Sequence, residues 1–199
     1  MNISVSRTIV IGGLIALTAI ACENVEDPAA PEMAGHSAMT ASPTTASADA
    51  SLGADLARLR RATAPFHNFA MAEDAEYDIL VAHPITGATC LDHPTDGGMG
   101  RHYLNLGLVD AEVSVTEPEV LIYEPMANGK LRLVAVEYII PYTIRGPEET
   151  PPTLLGQQFM HNPTFGLWML HVYVWKHNPA GMFATWNPNI TCEPDAAGN

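Results

Sequence analysis

Residues 127–141, ANGKLRLVAVEYIIP, join a tight-turn signal to a long apolar run. Asn128 and Gly129 predict a β-hairpin turn, because both residues tolerate a positive φ. The run at 131–140 predicts a long strand, and the turn would pair it with a strand predicted at 120–124. We therefore expect an antiparallel hairpin at the centre of the fold.

A carboxylate interrupts the longer of these two strands. With the period of two of a strand, Glu137 shares a face with Leu131, Leu133, Ala135 and Ile139. A carboxylate in an apolar row is costly unless it is paired, bound to a metal ion or protonated. The position of Glu137 therefore indicates a structural or functional partner.

Residues 169–177, MLHVYVWKH, place a histidine inside a second apolar strand, which we predict at 167–176. The same period of two puts His171 on a face with Met169, Tyr173, Trp175 and His177. His171 therefore raises the same question as Glu137, since an imidazole in such a row also needs a partner.

The segment before the sheet has the apolar spacing of a helix, and the residues of its stripe are Leu52, Leu56, Leu59 and Thr63. Pro65 would end this helix or begin a second one that runs to about Asp74. Short strands are predicted at 113–115 and 182–186, and loops at 83–101 and 141–166. The sequence thus predicts an α+β fold, with an N-terminal helix or helix pair packed on a curved antiparallel sheet of about five strands.

The charge balance argues against nucleic acid as a partner. The 199 residues include 9 Lys+Arg and 22 Asp+Glu, a net charge of −13. Phosphate backbones and anionic lipid surfaces attract clustered Lys and Arg instead. The chain also lacks a nucleophile-elbow serine, a phosphate loop and a dinucleotide fingerprint.

The N-terminus has the pattern of an export signal. An apolar run at 9–21 follows Arg7, and it is too short for a typical membrane helix. The stretch LTAIAC, which ends in Cys22, resembles a bacterial lipobox, in which the cysteine becomes the lipidated N-terminus. Ala19 departs from the leucine that this pattern prefers, and cleavage after Ala21 by signal peptidase I would instead release a soluble secreted protein.

Three cysteines fit a lipid-anchored protein. If Cys22 carries lipid such as palmitate, Cys90 and Cys192 remain and can form a disulfide in an oxidising compartment. Two buried free thiols are the alternative. We predict a signal peptide at 1–21, a lipidated cysteine and disordered tether at 22–50, and a single globular domain at 51–199, anchored in the cell envelope and facing the periplasm or the exterior.

Two histidines and a carboxylate form the predicted site. His102 follows a glycine-rich segment in GMGRHYLN, where a flexible backbone could bring it toward His171 and Glu137. Two imidazoles and a carboxylate are a ligand set for Zn, Fe or Mn with positions left open. The alternative is structural: His171 bonds to a carbonyl in the core, and Glu137 pairs with Arg101, Arg132 or Arg145.

Two further hypotheses use other side chains. Methionine lies close in sequence to three histidines, in the pairs Met99/His102, Met160/His161 and Met169/His171, and such pairs bind Cu(I). Aromatic residues would line a small-ligand pocket formed by Tyr103, Tyr173 and Trp175. Ordinary core packing explains either pattern as well.

The segments GMGRHYLN, PEVLIYEP, GKLRLVAVEYIIP and LHVYVWKHNPAGMFATWNPNITC resemble a group of uncharacterised exported bacterial proteins, over about residues 54–192. The resemblance implies export and one compact domain, and it brings no activity. It also implies that His102 and His171 are shared positions, whereas His177 lies at a variable one.

Together these features predict an envelope lipoprotein whose exported domain binds a metal ion or small ligand, with metal-assisted chemistry as one use of the site. His102 and His171 would be ligands, and Glu137 a ligand or base. The alternatives are a copper-binding protein and a non-catalytic structural or interaction lipoprotein.

Overall fold

The computed structural model describes residues 43–192. The predicted signal peptide, Cys22 and most of the predicted tether lie outside the described residues.

The helical segment begins earlier than its apolar stripe indicates. Helix α1 spans Pro43–Thr63, a 3-10 turn follows at Ala64–His67, and the short helix α2 spans Phe69–Asp74. Leu59 and Thr63 of the predicted stripe are fully buried. The predicted tether boundary at residue 50 falls inside α1, and the predicted second helix has only six residues. None of the described helices is long and apolar enough to cross a membrane.

Nine strands follow: β1 (Ile79–Leu80), β2 (Leu91–His93), β3 (Gly97–Leu104), β4 (Val120–Pro125), β5 (Leu131–Pro141), β6 (Thr153–Leu154), β7 (Gln157–Gln158), β8 (Met160–Asn162) and β9 (Leu167–Val172). The main sheet has the order β1-β3-β4-β5-β9-β8, with β2 also paired to β3. All of its pairs are antiparallel. The α+β class is confirmed, but the sheet has seven strands rather than about five.

Strand β3 lies largely in a segment that the sequence predicts as loop. Its glycines allow the backbone of the C-terminal segment to pack directly against the backbone of β3. A Cβ at Gly97 would lie 2.3 Å from the carbonyl oxygen of Asn187, and a Cβ at Gly98 would lie 2.9 Å from the carbonyl oxygen of Ile190. Close backbone packing, rather than loop flexibility, therefore explains the glycine-rich sequence.

The end of the predicted strand at 167–176 is wrong, because β9 stops at Val172. Beyond it the amides of Trp175 and Lys176 both donate to the carbonyl of Val134. The segment predicted as a strand at 182–186 forms turns instead. The predicted strand at 113–115 is reduced to a single bridge between Ser114 and Glu117.

The predicted neighbours of Glu137 are partly wrong, because β5 contains a bulge. Ile122 pairs with Ala135 and Tyr123 pairs with Leu133, so Val134 is an extra residue on β5. The alternation of faces therefore changes phase at Val134. Leu133 packs on the helix side, whereas Ala135 packs on the opposite side.

Both faces of the sheet are covered. On one face a core forms around Leu56 and Leu59 of α1 with Tyr123 and Tyr138 of the sheet. A smaller cluster covers the other face, and its buried members are Val120, Ile122, Val134, Ala135, Ile139, Met169, Tyr173 and Ile190. The C-terminal segment contributes Ile190 to this second cluster.

The predicted disulfide is confirmed. Cys90 and Cys192 are bonded, with their Cα atoms 5.6 Å apart and 102 positions apart in sequence. The bond holds the end of the C-terminal segment beside β2, where that segment covers the second cluster. It closes a long loop, and a long loop is the case in which a cross-link most restricts the unfolded chain.

We expect the double variant Cys90→Ala, Cys192→Ala to lose about 2–4 kcal/mol of unfolding free energy, because the unfolded chain regains the entropy of the open loop. Urea titration followed by tryptophan fluorescence measures the loss. Reducing agent should lower the stability of the wild-type chain and leave the double variant unchanged. An equal effect of reductant on both proteins would contradict this role of the disulfide.

Candidate metal centre

Strand register brings Glu137 and His171 together. Residue 137 of β5 pairs directly with residue 171 of β9. Side chains at directly opposed positions of an antiparallel pair project to the same face with Cβ atoms about 5 Å apart. The carboxylate and the imidazole are therefore neighbours because of backbone pairing alone.

His102 reaches the same place from the far side of β4. It pairs with Ile122, while Val120 of the same strand pairs with Glu137. His102 is thus one diagonal step across β4 from Glu137. The backbone of Gly100 lies beside its ring.

The ligand-type atoms of the three residues converge. Nε2 of His102 lies 3.5 Å from Nε2 of His171 and 3.7 Å from Oε2 of Glu137. Nε2 of His171 lies 3.5 Å from Oε1 of Glu137. Two ligands of a tetrahedral ion, each about 2.1 Å from it, are about 3.4 Å apart. The group therefore has the spacing of ligands that share one small transition-metal ion.

Burial sets the protonation of the group. It lowers the pKa of His102 to about 4 and, with a contribution from His102, that of His171 to about 3. Both imidazoles are neutral at pH 7, which is the form that binds metal. Burial raises the pKa of Glu137 to about 8, and Glu119 adds to the rise. A cation at the site would favour the carboxylate form of Glu137.

The partners that the structural alternative predicts for the two residues are not found. Nδ1 of His171 is buried and has no hydrogen-bond partner, so the predicted bond to a carbonyl is not formed. Among the described residues Glu137 makes no ion pair with Arg101, Arg132 or Arg145, and its charged-type neighbours are the two histidines. Arg132 faces Glu124 instead.

A cavity of about 70 Å³ lies beside the three residues. Its other lining residues are Val81, Leu91, Met99, Val120, Ile139, Asn162, Phe165, Leu167 and Met169. The Asn162 amide donates to the sulfur of Met169, and its oxygen accepts from the backbone of Phe165. Outside the three ligand-type residues, Asn162 is therefore the one polar side chain among the described residues of the cavity wall.

A wider open cleft of about 530 Å³ adjoins the cavity. Five residues line both spaces and form the boundary between them: Leu91, Met99, Asn162, Phe165 and Met169. Further out, the rings of His83 and Phe165 are in contact, as are those of His93 and Trp186. The cleft therefore lies on the solvent side of the cavity.

The predicted aromatic pocket is not assembled. Tyr103 packs against Phe69 and Tyr123 in the helix-side core, and Trp175 packs against that core as well. Only Tyr173 lies near the site, stacked on His171 with ring centroids 6.3 Å apart. The β5 bulge and the early end of β9 explain why a simple period of two misplaces Trp175.

Two of the three methionine–histidine pairs of the Cu(I) hypothesis lie at the cavity. Met99 and Met169 line the same cavity as His102 and His171. Met160 is separate from it, and its sulfur accepts a hydrogen bond from Thr185.

Sequence reasoning missed the outer residues of the site. Asn162, Phe165 and Leu167 belong to, or follow, a segment predicted as a surface loop. Their residue types are common in any fold, so the sequence carries no signal that assigns them to a cavity.

Comparison with known protein families, with curated proteins and with solved structures finds no match to this chain. The chemistry of the site must therefore be argued from its own geometry.

Glu119 is a second carboxylate whose ionisation is affected by burial. Its side chain is buried and accepts a hydrogen bond from the backbone amide of Ile139. Burial raises the pKa of Glu119 to about 8. The pKa of Glu119 is higher in the folded protein than in the unfolded chain. Its contribution to the free energy of unfolding is therefore fully present below about pH 4.5 and is lost as the pH rises toward 8.

We expect Glu119→Gln to gain stability relative to the parent between pH 4.5 and 8, since the neutral amide keeps an acceptor for Ile139 and never ionises. The gain should reach several kcal/mol at pH 8. Thermal unfolding across this pH range measures it. The exposed Glu117→Gln is the matched control and should show no such trend; a pH-independent effect of Glu119→Gln would refute the account.

Proposed function

We propose that this chain is an exported envelope protein whose folded domain binds one transition-metal ion through His102, Glu137 and His171. The observation that supports this most is the convergence of three ligand-type atoms from three strands, with separations of 3.5 to 3.7 Å, beside a cavity. Both histidines present Nε2 to the same point, where the two nitrogens also lie within hydrogen-bonding distance of each other and of Glu137.

The ligand set favours Zn, Fe(II) or Mn. Two neutral imidazoles and one carboxylate suit these ions, and they leave coordination positions open. The open positions would face the cavity. A water or substrate atom bound there would be polarised by the ion, so the site suits metal-assisted chemistry on a small molecule.

Copper binding without catalysis is the second candidate function. Met99 and Met169 line the same cavity, and a thioether with two imidazoles is a ligand set that Cu(I) accepts. Asn162 already donates to the sulfur of Met169, which leaves Met99 as the better placed thioether. Tight binding of Cu(I) that Met99→Leu weakens, together with weak binding of Zn, would favour this function.

The proposed location rests on the N-terminal motif and on the disulfide. Ala21 and Cys22 form the predicted cleavage and lipidation site. The Cys90–Cys192 disulfide supports an oxidising compartment outside the cytoplasm, because such bonds persist there.

We expect near-stoichiometric metal in the full chain after production in an oxidising compartment and dialysis. His102→Ala, His171→Ala and Glu137→Gln should each lose most of it, because two ligands hold an ion much less tightly than three. Elemental analysis by mass spectrometry gives both the amount and the identity of the ion.

His177→Ala is the matched control, since this histidine is exposed and outside the group. It should retain the metal. Added metal should also raise the melting temperature of the parent and of the control, but not of the three site variants. A parent chain that binds no metal under any loading condition would leave a structural or interaction protein as the remaining interpretation.

We expect Cys22→Ala to move the protein from the membrane fraction to the soluble fraction of a bacterial host, because the lipid is lost while the domain is intact. Immunoblots of the two fractions and labelling with radioactive palmitate measure this. Label that persists in the variant, or a parent found only in the soluble fraction, would contradict lipid anchoring.

A further inference from the structure

The wall of the metal-site cavity restricts what can bind there. Beyond the three ligand residues, the described residues of the wall are apolar except for Asn162. Both ends of the Asn162 side chain already have hydrogen-bond partners within the protein. Among the described side chains of the wall beyond the three ligand residues, only Asn162 can therefore pair with a second polar group on a bound molecule, through one remaining N–H and one remaining lone pair.

The charge of the site sets the charge of its ligand. Two neutral imidazoles, one carboxylate and a divalent ion sum to one net positive charge. Among the described lining residues Glu137 supplies the only negative charge. An uncompensated charge in an apolar space is costly, so a ligand that brings one negative charge is favoured over a neutral ligand of the same shape.

The volume of the cavity limits the size of the ligand. One water-sized group needs about 10–15 Å³ in this measure, so about 70 Å³ holds about five to seven such groups. A carboxylate or thiolate with a chain of about three to five carbons fills this space. The chain would pack against Ile139, Leu167 and Met99.

We propose that the cavity takes a small monoanion with a short apolar chain, whose charged end binds the metal ion. This inference rests on the proposed function, because the positive charge that selects the anion is that of the bound metal. The outer cleft, which shares Leu91, Phe165 and Met169 with the cavity, is the entry route.

The test uses the full chain loaded with Co(II), whose visible absorption spectrum reports on its ligands. Unbranched carboxylates from formate to octanoate are titrated, with the neutral amide of each acid as the matched probe. Thiolates of the same chain lengths form a second arm, and they decide which donor atom the site prefers.

We expect the acids or the thiols to change the spectrum at concentrations at least about tenfold lower than their neutral counterparts, the amides or the alcohols. Within the preferred series the affinity should rise about fourfold per methylene up to about five carbons, and then fall. Ile139→Ala should shift the best chain to a longer one, because it enlarges the cavity.

Leu167→Ala serves the same purpose if Ile139→Ala does not fold. Leu106→Ala is the control, since Leu106 is exposed and does not line the cavity; it should leave the optimum unchanged. Equal responses to charged and neutral probes, or no chain-length optimum, would overturn the inference while cobalt binding upholds the site. Failure to bind cobalt would instead refute the proposed function and this inference with it.

Discussion

The pairing of β5 with β9 is the constraint on which the rest of the structure depends. It places Glu137 directly opposite His171, in the interior of the sheet, where both side chains are buried. A slip of β9 by one residue would turn His171 to the helix-side core, among Tyr138 and Leu170, and separate it from Glu137. The register of the central strands is therefore tied to the placement of a buried polar group, and the chemistry of the site follows from that register.

Two local irregularities make this arrangement compatible with a packed fold. The extra residue Val134 shifts the phase of β5, so that Leu133 joins the helix-side core while Ala135 and Glu137 face the other side. On β3, Gly97 and Gly98 permit close approach of the C-terminal segment, which brings Ile190 over the second cluster. The disulfide then holds this segment beside β2. These features together cover the face of the sheet opposite to α1, on which the second cluster lies.

The electrostatics of the site give it a definite chemical character. With both histidines neutral and Glu137 able to ionise beside a cation, the group can offer one negative charge and two neutral nitrogens to a metal ion. The surrounding wall is apolar, so the ion would keep one uncompensated positive charge toward the cavity. A wall of this kind selects by charge and by size rather than by many hydrogen bonds, which is why a small monoanion is the ligand class we infer.

The sequence by itself determined the class of the fold, the helix stripe through Leu59, the hairpin before β5, the disulfide partners and the three residues of the candidate site. It could do so because burial of Glu137 and His171 in apolar rows is visible in local periodicity, and because cysteine parity restricts the pairing. Only the tertiary structure decided that His102 lies across β4 from Glu137, that Trp175 packs on the helix side, and that Phe165 and Leu167 line the cavity. Each of these depends on strand order, on a bulge or on a loop path, and such features arise from contacts between residues far apart in the chain, which local periodicity does not contain.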